Sequence, residues 1–270
     1  MNAVRALACM CALGSAAACA ADGSLHPDLV IESQEHGDHV KGEVTAFIDH
    51  PFATASAALK DPAQWCEVLI LSLNVKYCRP SGGAEARALR VVIGSTEDTM
   101  ESAYPLDFSY RVAVQTARVL QVVLDAAEGP LGTSAYRIML ELAPAQAART
   151  RVRLSYAYSQ GWAARLAMKV YLATAGRDKV GFTVIGTLPD GGPRYVAGMR
   201  GVTERNTMRY YLAIEAFLAS LAFPAETRSE KSFLAWFAAI ERYPRQLREV
   251  ALADYLATKR AQRARQRTAP

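Results

Sequence analysis

Apolar and polar residues alternate through the middle of the chain. Phe108, Tyr110, Val112 and Val114 share one side of segment 107–116. Tyr136, Ile138, Leu140 and Leu142 share one side of 134–142, and Val152, Leu154, Tyr156 and Tyr158 one side of 152–158. With segments 89–95 and 119–126 these make five strands. Period-two alternation with polar residues opposite predicts an antiparallel sheet covered on one face. Turns are expected at Gly129-Pro130-Leu131-Gly132 and around Pro144.

An earlier strand is predicted over 40–48, with Val40, Gly42, Val44, Ala46 and Ile48 on one face. Asp49-His50-Pro51 ends it, and Pro51 opens a short helix to Leu59. Asp61-Pro62 repeats the device and starts a second helix carrying Trp65, Val68, Leu69 and Leu71. Pro80-Ser81-Gly82-Gly83 reads as a loop. A helix is predicted over 162–175, and two short strands over 180–185 and 194–197, joined across Pro189-Asp190-Gly191-Gly192. A long helix over 206–221 places Thr207, Tyr211, Ile214, Leu218 and Leu221 on one stripe, widened by Tyr210 and Phe217. Phe233, Trp236, Phe237 and Ile240 give a further helix at i, i+3, i+4, i+7 spacing. Pro244 starts a last one with Leu247, Ala251, Leu252, Tyr255 and Leu256, and the basic residues after it are expected to fray.

This order resembles the START-related, helix-grip superfamily of ligand-binding domains. Asp49-His50-Pro51-Phe52, Asp61-Pro62 and Trp65 carry the likeness, with the run of strands and the late helix. WCEVLILSLNVKYC, TERNTMRYYLAIEAFL and ERYPRQL are also similar to segments of exported bacterial proteins of no assigned activity. The resemblance implies an α+β fold: a curved antiparallel β-sheet wrapped around a long C-terminal helix, with extra C-terminal helices and a cavity between sheet and helix. It implies no single activity, because members bind lipids, act as cyclases or serve as scaffolds.

The ends and the cysteines place the chain in a compartment. Arg5 precedes an apolar run from Ala6 to Ala18, and Ala18-Cys19-Ala20 fits a cleavage site, so residues 1–20 read as an export signal and the protein as periplasmic or secreted. Lipidation at Cys19 is an alternative. Residues 21–38 read as an irregular leader, 39–222 as the helix-grip domain and 223–270 as a helical extension with a basic tail. After cleavage Cys66 and Cys78 remain. An even pair in an oxidising compartment is a disulfide candidate, with two buried thiols the alternative.

The net charge of +5 is concentrated at the end of the chain. Arg242, Arg245, Arg248, Lys259, Arg260, Arg263, Arg265 and Arg267 face only Glu241, Glu249 and Asp254. A basic tail without a basic domain face argues against nucleic acid; its two readings are a tail that binds an anionic membrane surface and a solvated, disordered one. His36-Gly37-Asp38-His39 lacks a fourth metal ligand. No phosphate loop, nucleophile elbow or dinucleotide fingerprint appears, so neither cofactor nor catalytic residue is named.

The candidate ligand-binding residues are therefore the inward tyrosines Tyr110, Tyr136, Tyr156 and Tyr158, with Arg205, Arg209 and Tyr210 from the long helix. Arg205 or Arg209 at a cavity mouth suits an anionic headgroup. The plainer account pairs them with Glu204 or Glu141. The expected function is binding of a hydrophobic small molecule or lipid. A cyclase- or hydratase-like enzyme in the same cavity, and an envelope interaction protein docking through the Trp236 helix, are the alternatives.

Overall fold

The computed structural model describes residues 25–82, 87–95, 98–174 and 176–268. The expected export signal and Cys19 lie outside them. Eight strands form one antiparallel sheet: β1 (Val30–His36), β2 (His39–Ile48), β3 (Val75–Ser81), β4 (Ala88–Ile93), β5 (Tyr104–Gln115), β6 (Leu120–Glu128), β7 (Ser134–Pro144) and β8 (Thr150–Ser159). Their order is β1-β2-β8-β7-β6-β5-β4-β3. Helices α1 (Phe52–Leu59) and α2 (Pro62–Leu69) carry the chain from β2 across to β3. After β8 come α3 (Trp162–Ala173), a small hairpin of β9 (Val184–Thr187) and β10 (Pro193–Tyr195), and α4 (Gly198–Ser220). Helices α5 (Ala225–Glu241), α6 (Pro244–Leu247) and α7 (Leu252–Thr268) close the chain. This is an α+β helix-grip arrangement, with the sheet wrapped around α4.

Register explains the inner face. Tyr110, Leu124, Ile138, Tyr156 and Gly42 form one cross-strand row, and Val152 faces Leu142 on one side and Ala46 on the other. The outer face carries ion pairs across strands: Arg137 with Asp125, Arg153 with Glu43, Arg90 with Asp107. Exposed pairs of this kind are worth little each. They do forbid the one-residue slip that would bury them.

The helix α4 rests on β1, β2 and β8. Gly42 permits the contact: a Cβ there would lie 2.3 Å from Thr207 Oγ1 and 3.2 Å from the Thr203 carbonyl oxygen. The Asp61 carboxylate caps α2 by accepting from Ala63 N at 2.9 Å, and Trp65 Nε1 donates to the Leu59 carbonyl at 2.8 Å. Cys66 on α2 and Cys78 on β3 are disulfide-bonded, with Cα atoms 5.2 Å apart.

Four expectations need correction. The leader is not irregular throughout, since residues 30–36 form β1 and pair along β2. The Pro80 region ends a strand, β3, at the sheet edge, where a missing N–H is tolerated. Helix α4 begins eight residues before the predicted start at Asn206, at Gly198. The C-terminal segment is no separate extension with a loose tail: Phe233, Trp236, Tyr255 and Leu256 join the single hydrophobic core, and α7 is helical to Thr268.

The tail's charges are largely engaged. Lys259 is buried and donates to the carbonyls of Ser72 and Val75 and to Gln262 Oε1. Arg260 pairs with Glu230, Arg263 with Glu67, Arg248 with Glu241. Lys259 is thereby taken off the surface, while Arg248 and Arg260 stay exposed, each with a carboxylate partner. Trp236 is fully buried, with Nε1 donating to the Arg209 carbonyl, so it cannot dock an external partner.

Candidate functional site

Where α4 leaves the sheet, between its N-terminal half and strands β3–β5, a cleft remains. Its inner compartment holds about 360 Å³. The walls are Val75, Val91, Leu106 and Phe108 from β3, β4 and β5, Tyr136, Tyr156 and Tyr158 from β7 and β8, and Val202, Asn206 and Tyr210 from α4. Helix α3 closes one side with Ala164, Ala167, Met168 and Tyr171. The outer compartment, about 620 Å³, shares Asn74, Ile93, Leu131, Met168 and Asn206 with the inner one and adds Arg205, Arg209, Glu249 and Asp98. An oily interior thus leads to a charged mouth.

The tyrosines stack as a group. The rings of Tyr136 and Tyr158 lie 5.3 Å apart and nearly parallel, and Tyr156 packs on Tyr158 at 5.5 Å and on Tyr210 at 5.4 Å. Such contacts fix the rings beyond what area burial alone would do. Tyr136 Oη donates to Thr133 Oγ1 at 2.7 Å, and Thr133 Oγ1 donates to the Pro130 carbonyl at 2.6 Å. The hydroxyls of Tyr156, Tyr158 and Tyr210 have no hydrogen-bond partner among the described residues. They are available to a polar atom of a ligand.

Burial pushes every one of these phenols up. Tyr210 reaches about 12. Tyr156 and Tyr158 are raised by burial and then by their tyrosine neighbours. Tyr136 is raised by burial despite its bond to Thr133. At neutral pH they are hydrogen-bond donors rather than bases. No carboxylate, lysine, arginine or histidine is among the described residues lining the inner compartment. A cyclase or hydratase would need its acid–base pair from the mouth.

At the mouth, Arg209 pairs with Glu249 and its Nη1 donates to Asn206 Oδ1 at 3.2 Å. Arg205 is only 3% exposed, and its Nη1 donates to the Val180 carbonyl at 3.3 Å. Burial lowers its pKa, and Arg209 lowers it further. Glu204 turns away from it, and Glu141 pairs with Arg151, so neither expected partner serves. The Glu249 charge and a hydrogen bond with the Tyr171 side chain offset part of the cost of burying this guanidinium.

Of the seven sequence-chosen residues, the structure brings Tyr136, Tyr156, Tyr158 and Tyr210 together in the inner compartment and Arg205 and Arg209 at its mouth. Tyr110 is not among the lining residues of either. It lies one inward position beyond Phe108 on β5, where the Asp61 charge joins burial in raising its phenol. Leu106, Val91 and Gln160 were not singled out in the sequence, and Phe108 only as an inward strand residue. Their inward parity was readable, but not their distance from α4.

No family model and no curated protein matches the chain. Several solved structures resemble it at low identity. A START superfamily protein from Mycobacterium smegmatis is 13% identical with a TM-score of 0.35, over 51% of this chain and 95% of that one. Human StAR-related lipid transfer protein 5 is 11% identical with a TM-score of 0.39, over 56% and 76%. Norcoclaurine synthase from Thalictrum flavum, in complex with dopamine and hydroxybenzaldehyde, is 12% identical with a TM-score of 0.36, over 56% and 82%. With TM-scores below 0.5, these likenesses carry no argument about this chain.

Proposed function

We propose that the protein is an exported carrier that holds a hydrophobic small molecule or lipid between the sheet and α4. The observation that carries this is the inner compartment: apolar walls with three unpartnered phenol hydroxyls among them. Pockets for small molecules have this makeup, mostly apolar with a few placed polar groups. Burial of ligand surface there supplies about 25 cal/mol per Å², before the costs of association. Arg205 favours a ligand with a negative charge at the end that faces the mouth. The residue 6–18 apolar run and the Cys66–Cys78 disulfide support export to an oxidising compartment.

Native protein extracted with organic solvent and analysed by mass spectrometry is expected to yield a bound amphiphile. Stripped protein is then titrated with palmitate and with hexadecanol. Palmitate is expected to bind about tenfold tighter, and Arg205→Gln to abolish that difference while leaving hexadecanol unchanged. Stripped, folded protein that binds neither compound, nor any member of a broader lipid panel, defeats the carrier proposal. Equal binding of both defeats only the acidic headgroup. Cell fractionation and the mass of the mature N-terminus test export and Cys19 lipidation.

A further inference from the structure

Helix α3 has a face that no described residue covers. Of its twelve residues only Ala164 is buried. Trp162, Leu166 and Val170, at i, i+4 and i+8, are 79%, 57% and 58% exposed. Leu131 extends the patch at the N-terminal end: it is 62% exposed, and Gly132 beside it accepts a hydrogen bond from Gly161 N at 3.1 Å. Trp162 carries its indole into solvent, while the chain's other two tryptophans, Trp65 and Trp236, are fully buried.

Charge tells what this face meets. Arg165 and Lys169 flank the stripe on one side, both exposed and neither paired with a carboxylate among the described residues. The helix WAARLAMKVYLA contains no acidic residue. A protein partner would present charges of both signs, whereas an anionic lipid surface presents one. A helix with an apolar stripe ending in Trp, cations at its border and no acids has the makeup of one that lies in a membrane interface. No described helix is long and apolar enough to cross a membrane, and α3 would lie flat.

The opposite face of α3 supplies Ala164, Ala167, Met168 and Tyr171 to the cavity wall. Leu131 takes part in both the patch and the cavity. We propose that α3 docks the protein on an anionic lipid bilayer, with Trp162, Leu166, Val170 and Leu131 entering the headgroup boundary and Arg165 and Lys169 on the phosphates. Docked in this way, the cavity stands about one helix diameter, roughly 10 Å, from the lipid. The proposal does not depend on the identity of the cavity's ligand.

Trp162 is its own reporter. The full chain is mixed with vesicles of equal parts phosphatidylglycerol and phosphatidylethanolamine, or of phosphatidylcholine alone. With the anionic vesicles tryptophan emission is expected to shift to the blue and to become shielded from an aqueous quencher. Leu166→Ser with Val170→Ser should weaken vesicle partition about tenfold or more, and Arg165→Gln with Lys169→Gln should remove the preference for anionic lipid. These are surface substitutions, and unchanged thermal unfolding will show that the fold is intact. Emission unmoved by either vesicle overturns the proposal. So does shielding that grows with protein concentration in the absence of lipid, which would assign the face to a second copy of the chain.

Discussion

Glu204→Ala is expected to remove a large part of the protein's stability, far more than a typical substitution. The Glu204 side chain is completely buried. Its carboxylate accepts four hydrogen bonds: from Ser33 Oγ at 2.6 Å, Phe182 N at 2.6 Å, Thr183 N at 2.9 Å and Thr183 Oγ1 at 2.7 Å. Ser33 is on β1, and Phe182 and Thr183 lie in the segment between α3 and β9. One side chain on α4 therefore fastens both the first strand and the chain that returns from α3. Gly181 makes room for it, since a Cβ there would stand 2.5 Å from Glu204 Oε2. Truncation to Ala leaves two backbone N–H groups without an acceptor. The hydroxyls can rotate to other partners, but the N–H groups cannot. At about 1–3 kcal/mol for each unsatisfied group, the loss comes to about 2–6 kcal/mol. A domain's whole stability is about 5–15 kcal/mol. With a urea slope of about 2 kcal/mol per molar, the unfolding midpoint falls by about 2 M. Gln keeps the shape and one acceptor oxygen and should cost less than Ala. Hydrogen exchange adds a second measurement, with β1 amides losing protection before those of β6 and β7. A loss of under about 1 kcal/mol in urea, or β1 protection unchanged, refutes the role assigned to Glu204.

Gly42→Val should overpack the crossing of α4 on β2, because its Cβ would fall 2.3 Å from Thr207 Oγ1 and 3.1 Å from Thr203 Cγ2. Thermal unfolding should show a loss of about 1–3 kcal/mol, and wild-type stability would contradict the contact. Replacing Cys66 and Cys78 together by Ala, which opens a link spanning 12 residues, should cost about 3 kcal/mol in urea unfolding. Reductant should then leave the variant's midpoint unmoved while lowering that of the parent. Alkali should unfold the protein early. Tyr136, Tyr156, Tyr158 and Tyr210 hold their protons in the folded state above the pH at which an unfolded tyrosine sheds them. Their stabilising contribution is complete below about pH 10 and falls as pH rises through the folded-state values, by about 1.4 kcal/mol per pH unit for each phenol. Melting temperatures measured across that range, with Tyr156→Phe giving a flatter profile, check the sign.

The strands β5 to β8 were legible because their inward positions are nearly all apolar and their outward ones mostly polar or charged. Val152, Leu154, Tyr156 and Tyr158 could sit no other way. What escaped was every element that turns polar residues inward. On β1, Ser33 faces in because Glu204 awaits it, 171 residues later in the chain. The first turns of α4 bury Thr203, Glu204 and Arg205, which erases the apolar period that marks the rest of the helix. On α7, Lys259 and Gln262 point into the protein, so a packed helix looked like a solvated tail. A local pattern cannot show a hydrogen-bond partner that is distant in sequence. The site divides in the same way. Tyr136, Tyr156 and Tyr158 came together as their parity required, and Tyr210 met them from α4. Tyr110 has the right parity but sits farther along its strand, where the interior is filled.

The last helix also governs how the molecule behaves among its own copies. Strand β3 lies at the end of the sheet, where outward carbonyls would invite pairing with another chain. Helix α7 occupies that margin: Lys259 Nζ takes the Val75 carbonyl and Gln266 Nε2 the Cys78 carbonyl. A protease that clipped α7 would thus bare a ready template for self-assembly, and solubility would fail at that border before the tyrosine-lined hollow was disturbed.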